Sequence, residues 1–589
     1  MKFSKKDFDT ISKFSHKAQK NKFEFECLLK HPKPTQTSCE RIIMYFQNSV
    51  NWICSRNEEI TLDIFVYKFR FTITGKIYVD EYFKTNSLKN IPYDKLKVIS
   101  KTKVSSSFSK DFGCCFNLNL EENIHNENDN LKYAIDTWEE LDKYYRLKKR
   151  TSFDTHLLYR IDITIVTSPS NENTYEIELE YLPDLRFDTD LWVKTLNILL
   201  CINRNTNIIS TLPQLFSVGN HYMNIVSNNV CSTLYKKSYY KLSPKVVSLT
   251  MDKYYELLYD CSEYRLAPKS DGLRMLGFIT HNGELFIMED TVNYFKSTGC
   301  YFNSEYSGTI FDGEFINITK HGEKIAHFLI FDCYFISKKD IRQESFDERI
   351  RLAESVLETF NESKTAYDGI SFKIILKKFY RLSQENFHSK CQECWNEIEK
   401  QSYENDGLIF TPIDKVGGND LYSNNNSKFI QSGCKFERLL KWKDSHFNSI
   451  DFKIKILDKD VDILNKINTD YVVSKCKKCV LYVLYSNTSK DSYVKEFTPE
   501  KKENEKYNTV IIPIVGNVLR CCPNDTWNGS VINDGNIVEM VYDTNAQKYH
   551  QWKPIRVRKD KLTPNYFLTA QNVWNTIHNP VTFTMIMKK

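Results

Sequence analysis

The sequence predicts an α+β multidomain protein, and three observations lead there. At 589 residues the chain is too long for one hydrophobic core, because single cores stop growing at roughly 250–300 residues. Strict acid/apolar alternation in Phe23-Glu24-Phe25-Glu26-Cys27 and Tyr175-Glu176-Ile177-Glu178-Leu179-Glu180-Tyr181 marks strands, since successive side chains on a strand face opposite ways. Helix-like stretches at 190–201 and 569–577 stand between and after the strand-rich regions. Three units are therefore expected, over residues 1–230, 244–451 and 452–589.

In the first unit, alternation recurs in Tyr159-Arg160-Ile161-Asp162-Ile163-Thr164-Ile165, and a polar stretch at 217–243 leads out of it. In the second, apolar runs at 264–268, 273–279, 311–315, 328–332, 406–410 and 439–443 read as strands. Residues 337–404 read as helical, and the charged run 338–351 as a solvated helix face. Gly417-Gly418 and Asn424-Asn425-Asn426 mark a flexible connection. In the third, short alternating strands at 480–485 and 509–515 precede the last helix.

The first unit carries one kind of chemistry. Glu24 and Glu26, and Glu176 and Glu178, share one face of their strands. A lone strand of this kind reads as an acidic solvent face over a core. Two of them at opposite ends of one region predict carboxylates converging inside a closed barrel on a divalent cation, since isolated acids lining a barrel would repel. Between these two strands lie Arg70, Lys101, Lys103, Arg160 and Asp162, and the cations among them are suited to polyphosphate.

The second unit carries another. Lys269-Ser270-Asp271-Gly272-Leu273-Arg274 sets a lysine two residues before Asp-Gly, on a short turn between apolar runs. An amine there attacks the α-phosphorus of a nucleoside triphosphate, provided cationic neighbours or a metal favour its neutral form. Alone, Lys-x-Asp-Gly also reads as a solvated β-turn. The following runs decide against that: Phe311-Asp312-Gly313-Glu314-Phe315, Phe328-Leu329-Ile330-Phe331-Asp332, Asp406-Gly407-Leu408-Ile409-Phe410, Leu439-Leu440-Lys441-Trp442-Lys443, and Trp552 to Lys561 with Arg556, Arg558, Asp560 and Lys561. Charged residues alternate with apolar ones, so each run offers a charged face. Glu314 and Asp406 are candidate metal ligands. Phosphoryl transfer is mostly positioning plus charge stabilisation, and two pairs of cations, Lys441 with Lys443 and Arg556 with Arg558, suit it.

This ordered series resembles the motifs of mRNA guanylyltransferases, within the covalent nucleotidyltransferase superfamily shared with ATP- and NAD-dependent ligases. It looks in particular like the capping enzymes of large cytoplasmic DNA viruses and of virus-like linear plasmids of yeasts. The resemblance implies that Lys269 takes GMP from GTP, that Arg274 holds the ribose with Asp271, Gly272, Asp312 and Asp332 around the nucleotide, and that Phe331 lies by the guanine. It implies that Glu314 and Asp406 serve Mg2+ or Mn2+, that Lys441 and Lys443 grip the α-phosphate, and that Arg556, Arg558, Asp560 and Lys561 act from a mobile second lobe, a small β-barrel of oligonucleotide-binding (OB-fold) type. The chain departs from the pattern at Phe286-Ile287-Met288-Glu289-Asp290, where relatives often carry an arginine. The front unit resembles triphosphate tunnel enzymes, whose paired Glu-x-Glu strands bind Mg2+ or Mn2+ and remove the γ-phosphate of 5′-triphosphate RNA. The implied whole is a bifunctional capping enzyme acting on 5′-triphosphate RNA, with an RNA polymerase and a separate cap methyltransferase as partners. The 31 residues beyond Arg558 are too few for a methyltransferase domain.

Composition fits. Lys plus Arg number 81 against 75 Asp plus Glu, a net charge of +6, so local grooves rather than a diffuse field must contact RNA. The first 22 residues hold no apolar signal segment, and 191–202 reads as an amphipathic helix rather than a membrane span. Seventeen cysteines without a signal peptide predict reduced thiols and a cytoplasmic location. Cys391/Cys394 and Cys476/Cys479 have zinc-like spacing, the second with Cys521-Cys522, but buried thiols are the expected state. Two rival readings stay open: an ATP-dependent polynucleotide ligase, and a catalytically silent RNA-binding subunit of a transcription complex.

Overall fold

The computed structural model describes the whole chain except residues 1–2, 22, 68, 125–132, 134, 156–157, 168–172, 184, 229–241, 290–294, 361, 364–368, 417–434, 445–447, 468–469, 487–491, 500–506, 524–525, 559–560, 562 and 588–589. Asp560, Gly417-Gly418 and Asn424-Asn425-Asn426 lie outside the described residues.

Eight antiparallel strands close the amino-terminal barrel: β1 (Glu24–Leu29), β2 (Ile53–Val66), β3 (Phe69–Thr74), β4 (Leu96–Ser109), β5 (Cys114–Asn123), β6 (Tyr144–Thr155), β7 (Tyr159–Thr167) and β8 (Asn173–Tyr181). Their order is β1-β5-β4-β3-β2-β6-β7-β8, and β8 pairs back onto β1 with Glu26 opposite Glu180 and Leu28 opposite Glu178. The alternation seen in the sequence turns this barrel inside out. Phe25, Cys27, Ile161, Ile163, Ile177 and Leu179 point outward and are buried beneath helices Lys5–Asn21, Gln36–Gln47 and Thr189–Asn203. Helix Lys76–Thr85 covers the outer face of β2 and β3 through Val79 and Tyr82. Each such side chain contributes roughly 1.5–3 kcal/mol on burial, so the outer shell holds the barrel together and leaves its interior free for charge.

The central lobe has strands β9 (Lys245–Ser248), β10 (Tyr264–Ser270), β11 (Leu273–Ile279), β12 (Glu284–Glu289), β13 (Phe295–Tyr301), β14 (Ile310–Ile318), β15 (Lys324–Ile336), β16 (Lys339–Asp340), β17 (Glu362–Ser363), β18 (Lys373–Leu376), β19 (Tyr380–Arg381), β20 (Asn405–Pro412) and β21 (Lys435–Trp442). They form two sheets, β19-β10-β20-β21-β9 and β16-β15-β14-β11-β12-β13-β17, with β18 alongside β15. The consecutive strands β10 and β11 thus belong to different sheets, and the Asp271-Gly272 turn carries the chain across. Only glycine fits at the crossing, since a Cβ on Gly272 would lie 2.6 Å from the Phe315 carbonyl oxygen.

Two readings of this region are corrected. The stretch from 217 begins as helix, because Leu212–Asn228 lays Leu215, Val218, Tyr222 and Ile225 against Phe278, Phe286 and Phe295. Residues 337–404 hold helices Phe346–Leu357 and Phe387–Lys400 but not one continuous helical region. Between them β18 pairs in parallel with the edge of β15; a short apolar run such as Ile374-Ile375-Leu376 does not by periodicity tell strand from helix.

The third unit is a sheet in the order β27-β26-β25-β23-β22-β28-β29, with β24 alongside β23. Its strands are β22 (Ser449–Ile467), β23 (Asp470–Ser486), β24 (Ser492–Glu496), β25 (Thr509–Val515), β26 (Val518–Arg520), β27 (Val531–Ile532), β28 (Ile537–Tyr542) and β29 (Trp552–Val557). Phe452, Leu481, Ile512, Val538 and Trp552 pack under Trp574 of helix Phe567–His578, giving the barrel-like closing unit the sequence predicts. The chain end then returns to the central lobe, where Ile586 and Met587 join the core of Tyr254, Cys391 and Trp442, and the Trp442 indole donates to the Val581 carbonyl at 2.7 Å. Cys391 and Cys394 are both buried in that core. Among the described residues no helix is long and apolar enough to cross a membrane.

Candidate active sites

The barrel encloses a charged cavity of about 920 Å³. Inward-facing Glu24, Glu26, Glu176, Glu178, Arg160, Asp162, Arg70, Lys101 and Lys103, all expected from the sequence, line it. So do residues not expected: Asp63, Asn117, Asn119, Glu121, Arg146, Lys148, Arg150 and Glu180. Some of these were within reach. Glu180 continues the alternation of Glu176 and Glu178, and Arg146, Lys148 and Arg150 alternate along β6.

Opposite charges are interleaved. The Lys101 ammonium sits among Glu24, Glu26 and Glu121, at 3.6 Å from Glu26 Oε2 and 3.4 Å from Glu121 Oε1. Arg146 donates to both Glu176 oxygens at 2.8 Å, Arg150 lies 3.1 Å from Asp162, and Lys148 pairs with Asp63. The Asn117 and Asn119 amides donate to Glu26 Oε1 at 3.0 and 3.1 Å. The acids nevertheless outweigh what is near them on one wall. Glu178 has no ion pair within 4 Å among the described residues, and Glu180 has only Arg160 at 3.7 Å. Burial, reinforced by Glu26, pushes the Glu178 carboxyl up to about 7, and burial with Glu24 beside it pushes Glu180 up to about 8.

Among the described residues no three acidic, histidine or cysteine side chains are gathered about one point as a metal cage; Glu24, Glu26 and Glu121 surround an ammonium instead. The donors are all carboxylate oxygens, the ligand type that Mg2+ and Mn2+ prefer, and the under-compensated Glu178 and Glu180 supply negative charge that such a cation would balance. The residues fit a hard divalent cation.

The second site lies between the two central sheets, in a pocket of about 160 Å³ lined by Pro268, Lys269, Ser270, Ile409 and Leu439 from one sheet and Arg274, Glu314, Phe331, Asp332, Tyr334 and Lys377 from the other side. Lys269, at the end of β10, donates to Asp406 Oδ1 at 2.6 Å, while Lys443 pairs with the other oxygen of the same carboxylate. Against the upward push of burial, these two ammonium groups hold the Asp406 carboxyl below its ordinary range. Glu314 sits directly opposite Arg274 across β11 and β14. Burial raises its carboxyl to about 7 although Lys377 and Lys269 oppose the shift.

Arg274 is held from three sides. Its guanidinium donates to Asp312 at 3.1 and 2.5 Å and to the Pro244 carbonyl at 2.9 Å, and lies 5.3 Å from the centroid of the Phe331 ring. Asp312 is fully buried and also accepts from the Tyr334 hydroxyl. Asp332 lines the pocket, but Arg349 occupies both its oxygens at 2.7 and 2.9 Å. Asp271 and Gly272 sit exposed on the crossing turn.

Lys441 and Lys443 open onto an adjoining cleft of about 230 Å³ between the central lobe and the third unit, with Asp451, Asn565 and Thr569 on its far wall. Residues 227–444 match the family profile "mRNA capping enzyme, catalytic domain", and residues 447–587 match "mRNA capping enzyme, C-terminal domain". Together the two matches run almost unbroken over more than half of the chain. It belongs to the mRNA capping enzymes.

Relatives extend the likeness in different directions. The "mRNA-capping enzyme subunit alpha" of Saccharomyces cerevisiae is 26% identical over 356 residues, 54% of this chain and 72% of its own. The "Probable mRNA-capping enzyme" of Acanthamoeba polyphaga mimivirus is 24% identical over 518 residues, 75% of this chain. The "mRNA-capping enzyme" of African swine fever virus (isolate Pig/Kenya/KEN-50/1950) is 22% identical over 567 residues, 85% of this chain. An alignment covering 85% of the chain must reach into the barrel unit. The chain spans only 41% of the mimivirus protein and 58% of the swine fever one.

In this capping enzyme the carboxy-terminal motif begins on β29, with Arg558 and Lys561 following it. Arg556 donates to Glu539 at 2.6 Å, Arg558 reaches Asp451 at 3.3 Å and Glu539 at 3.6 Å, and Lys561 pairs with Asp451. Asp451 lines the Lys441–Lys443 cleft, so the motif's cations approach that cleft through a shared carboxylate. Lys377 went unrecognised in the sequence: it follows a short strand with no distinctive spacing, yet its ammonium donates to the Pro268 carbonyl at 2.7 Å, next to Lys269.

Proposed function

We propose that this chain caps RNA 5′ ends in two steps at two separate sites. The observation that carries the reading is the coexistence of a carboxylate-walled barrel and, on a different fold, a lysine amine set among Glu314, Asp406, Lys377 and Lys443. In the barrel, water attacks the γ-phosphorus of 5′-triphosphate RNA, the bond to the β,γ-bridging oxygen breaks, and inorganic phosphate leaves diphosphate RNA. Arg146, Lys148, Arg150, Arg160, Lys101 and Arg70 grip the phosphate chain, with Glu24, Glu26, Glu176 and Glu178 as the metal-facing group and Asp162 holding Arg150 in place. In the central pocket, the Lys269 amine attacks the α-phosphorus of GTP, a P–N bond forms, and pyrophosphate departs. The β-phosphate of the diphosphate RNA then attacks the same phosphorus, breaks the P–N bond and regenerates Lys269, leaving GpppN.

Around Lys269, Asp406 orients the amine, Arg274 and Phe331 meet the ribose and base, and Glu314 and Asp406 would hold the cation. Lys441 and Lys443 stabilise charge at the α-phosphate, and Arg556, Arg558 and Lys561 turn from Glu539 and Asp451 to the leaving phosphates; Asp560 belongs with them by motif. A bound Mg2+ or Mn2+ supplies charge stabilisation on the phosphoryl oxygens at each site. Incubation with α-labelled GTP or ATP tests the donor: a GMP adduct supports the reading, and an adduct with AMP alone supports the ligase.

Binding of GTP carries a pH signature. Burial, with Lys443 and Lys269 nearby and only Asp406 opposing, lowers the Lys441 ammonium to about 8. Lys441 is therefore charged below that pH and loses its charge above it. GTP affinity should weaken as pH rises from 7 to 9, and Lys441→Arg, charged throughout, should flatten the fall. An equal fall in the arginine variant would show that another group governs it.

A further inference from the structure

Beyond the phosphate-binding interior, we infer that the barrel has a nucleobase-stacking rim, formed by Phe65, Tyr67 and Tyr144, through which single-stranded RNA enters; the inference rests on the triphosphatase reading above. Phe65 and Tyr144 are directly opposite each other across β2 and β6, with ring centroids 6.0 Å apart. Phe65 and Tyr67 both line the cavity, and Tyr67 stands on the turn joining β2 to β3. Tyr67 and Tyr144 are 72% and 58% exposed, large for aromatic rings with a buried core nearby. Tyr67 also has φ +51, a left-handed conformation that a bulky side chain adopts at a cost and that glycine or asparagine would take more easily. An exposed aromatic ring held there without burial needs a reason other than packing.

The charges behind the rim supply that reason. Along β6 Arg146, Lys148 and Arg150 line the cavity, Tyr144 precedes them on the same strand face opposite Phe65, and Arg70 on β3 is directly opposite Phe65 on the other side. Two residues along a strand span about 7 Å, so Arg146 lies one such step behind Tyr144, and its guanidinium touches Glu176 at 2.8 Å. That step is about the separation of a nucleobase from its own 5′-phosphate. Rings at the mouth, cations one step in and under-compensated carboxylates beyond them match, in order, the base, the phosphates and the metal-bound end of a triphosphate-ended strand. Every base has a π-face, so such a rim accepts any first nucleotide, as in other single-strand-binding grooves that combine aromatic platforms with positive charge.

Hydrolysis of inorganic tripolyphosphate and of 5′-triphosphate RNA by the full chain separates this from a structural role. Tyr67→Ala with Tyr144→Ala should raise KM for triphosphate RNA about tenfold, leave kcat near its original value, and leave KM for tripolyphosphate unchanged, while Tyr144→Phe should behave as the unmodified protein. An unchanged KM for RNA would overturn the rim. A parallel rise for tripolyphosphate would overturn it too, by showing that the rings only shape the barrel. If the unmodified chain hydrolysed neither substrate, the triphosphatase reading itself would fall, and the rim with it.

Discussion

Lys269→Ala should abolish the covalent GMP adduct and leave γ-phosphate release from triphosphate RNA untouched. In the proposed mechanism the nucleophile is the amine itself, so its removal would take away the bond-forming atom rather than a fraction of the rate. Its side chain leaves a half-buried position beside Asp406, whose other oxygen keeps Lys443, so the remaining carboxylate is still paired and the fold should stand. Gel analysis after incubation with α-labelled GTP checks the first part, and phosphate release from γ-labelled RNA checks the second. The adduct expected on the unmodified chain is a phosphoramidate, so acid should cleave it and alkali should not. Asp312→Ala would make a poorer probe. It takes a fully buried carboxylate away from Arg274 and the Tyr334 hydroxyl, a change that costs about 3–5 kcal/mol and confounds activity with stability.

The converse variant is Glu178→Gln. It should lower γ-phosphate release by about 100-fold or more, since a cation's stabilisation of the developing charge amounts to several kcal/mol and each 1.36 kcal/mol is tenfold in rate, and it should leave the adduct on Lys269 at full strength. The substitution removes an under-compensated acid without creating an unpaired cation, because Glu178 makes no ion pair within 4 Å among the described residues. Burial holds its carboxyl at about 7, so the neutral amide is close in charge to a form the protein already populates, and thermal unfolding should change little. Loss of both activities in a folded Glu178→Gln chain would argue against independent sites.

The sequence made the chemistry legible where it repeats along a strand. Glu24 and Glu26, and Glu176 and Glu178, announce their shared face by alternation alone, and closure of the barrel brings them onto one wall. The same rule held the signal for Arg146, Lys148 and Arg150, which is hidden in the sequence by Lys149 beside them and becomes visible only when β6 is seen to face inward. Lys377 had no such signal. It reaches the neighbourhood of Lys269 because β18 docks in parallel against β15, a pairing between distant segments that no local pattern encodes. Asp451 and Glu539 escaped for a related reason: neither carries a distinctive spacing on its strand, and only the cross-strand register sets both beside Arg556, Arg558 and Lys561. The stretch at 217–243 reads as a polar connection, whereas helix Leu212–Asn228 covers its start, because the buried face of that helix is matched to the aromatic surface of Phe278 and Phe295, a partner visible only in the fold.

The central claim is that one chain carries two sites joined only by the diphosphate RNA that passes between them. Mixing equal amounts of the Lys269→Ala and Glu178→Gln chains with 5′-triphosphate RNA and α-labelled GTP tests it most directly, scored by transfer of label into a nuclease-resistant GpppN end. The first chain should supply diphosphate RNA and the second should supply GMP, so the mixture should form caps although neither variant alone does so efficiently. A mixture that forms no caps, while each chain retains its remaining activity, would contradict the account.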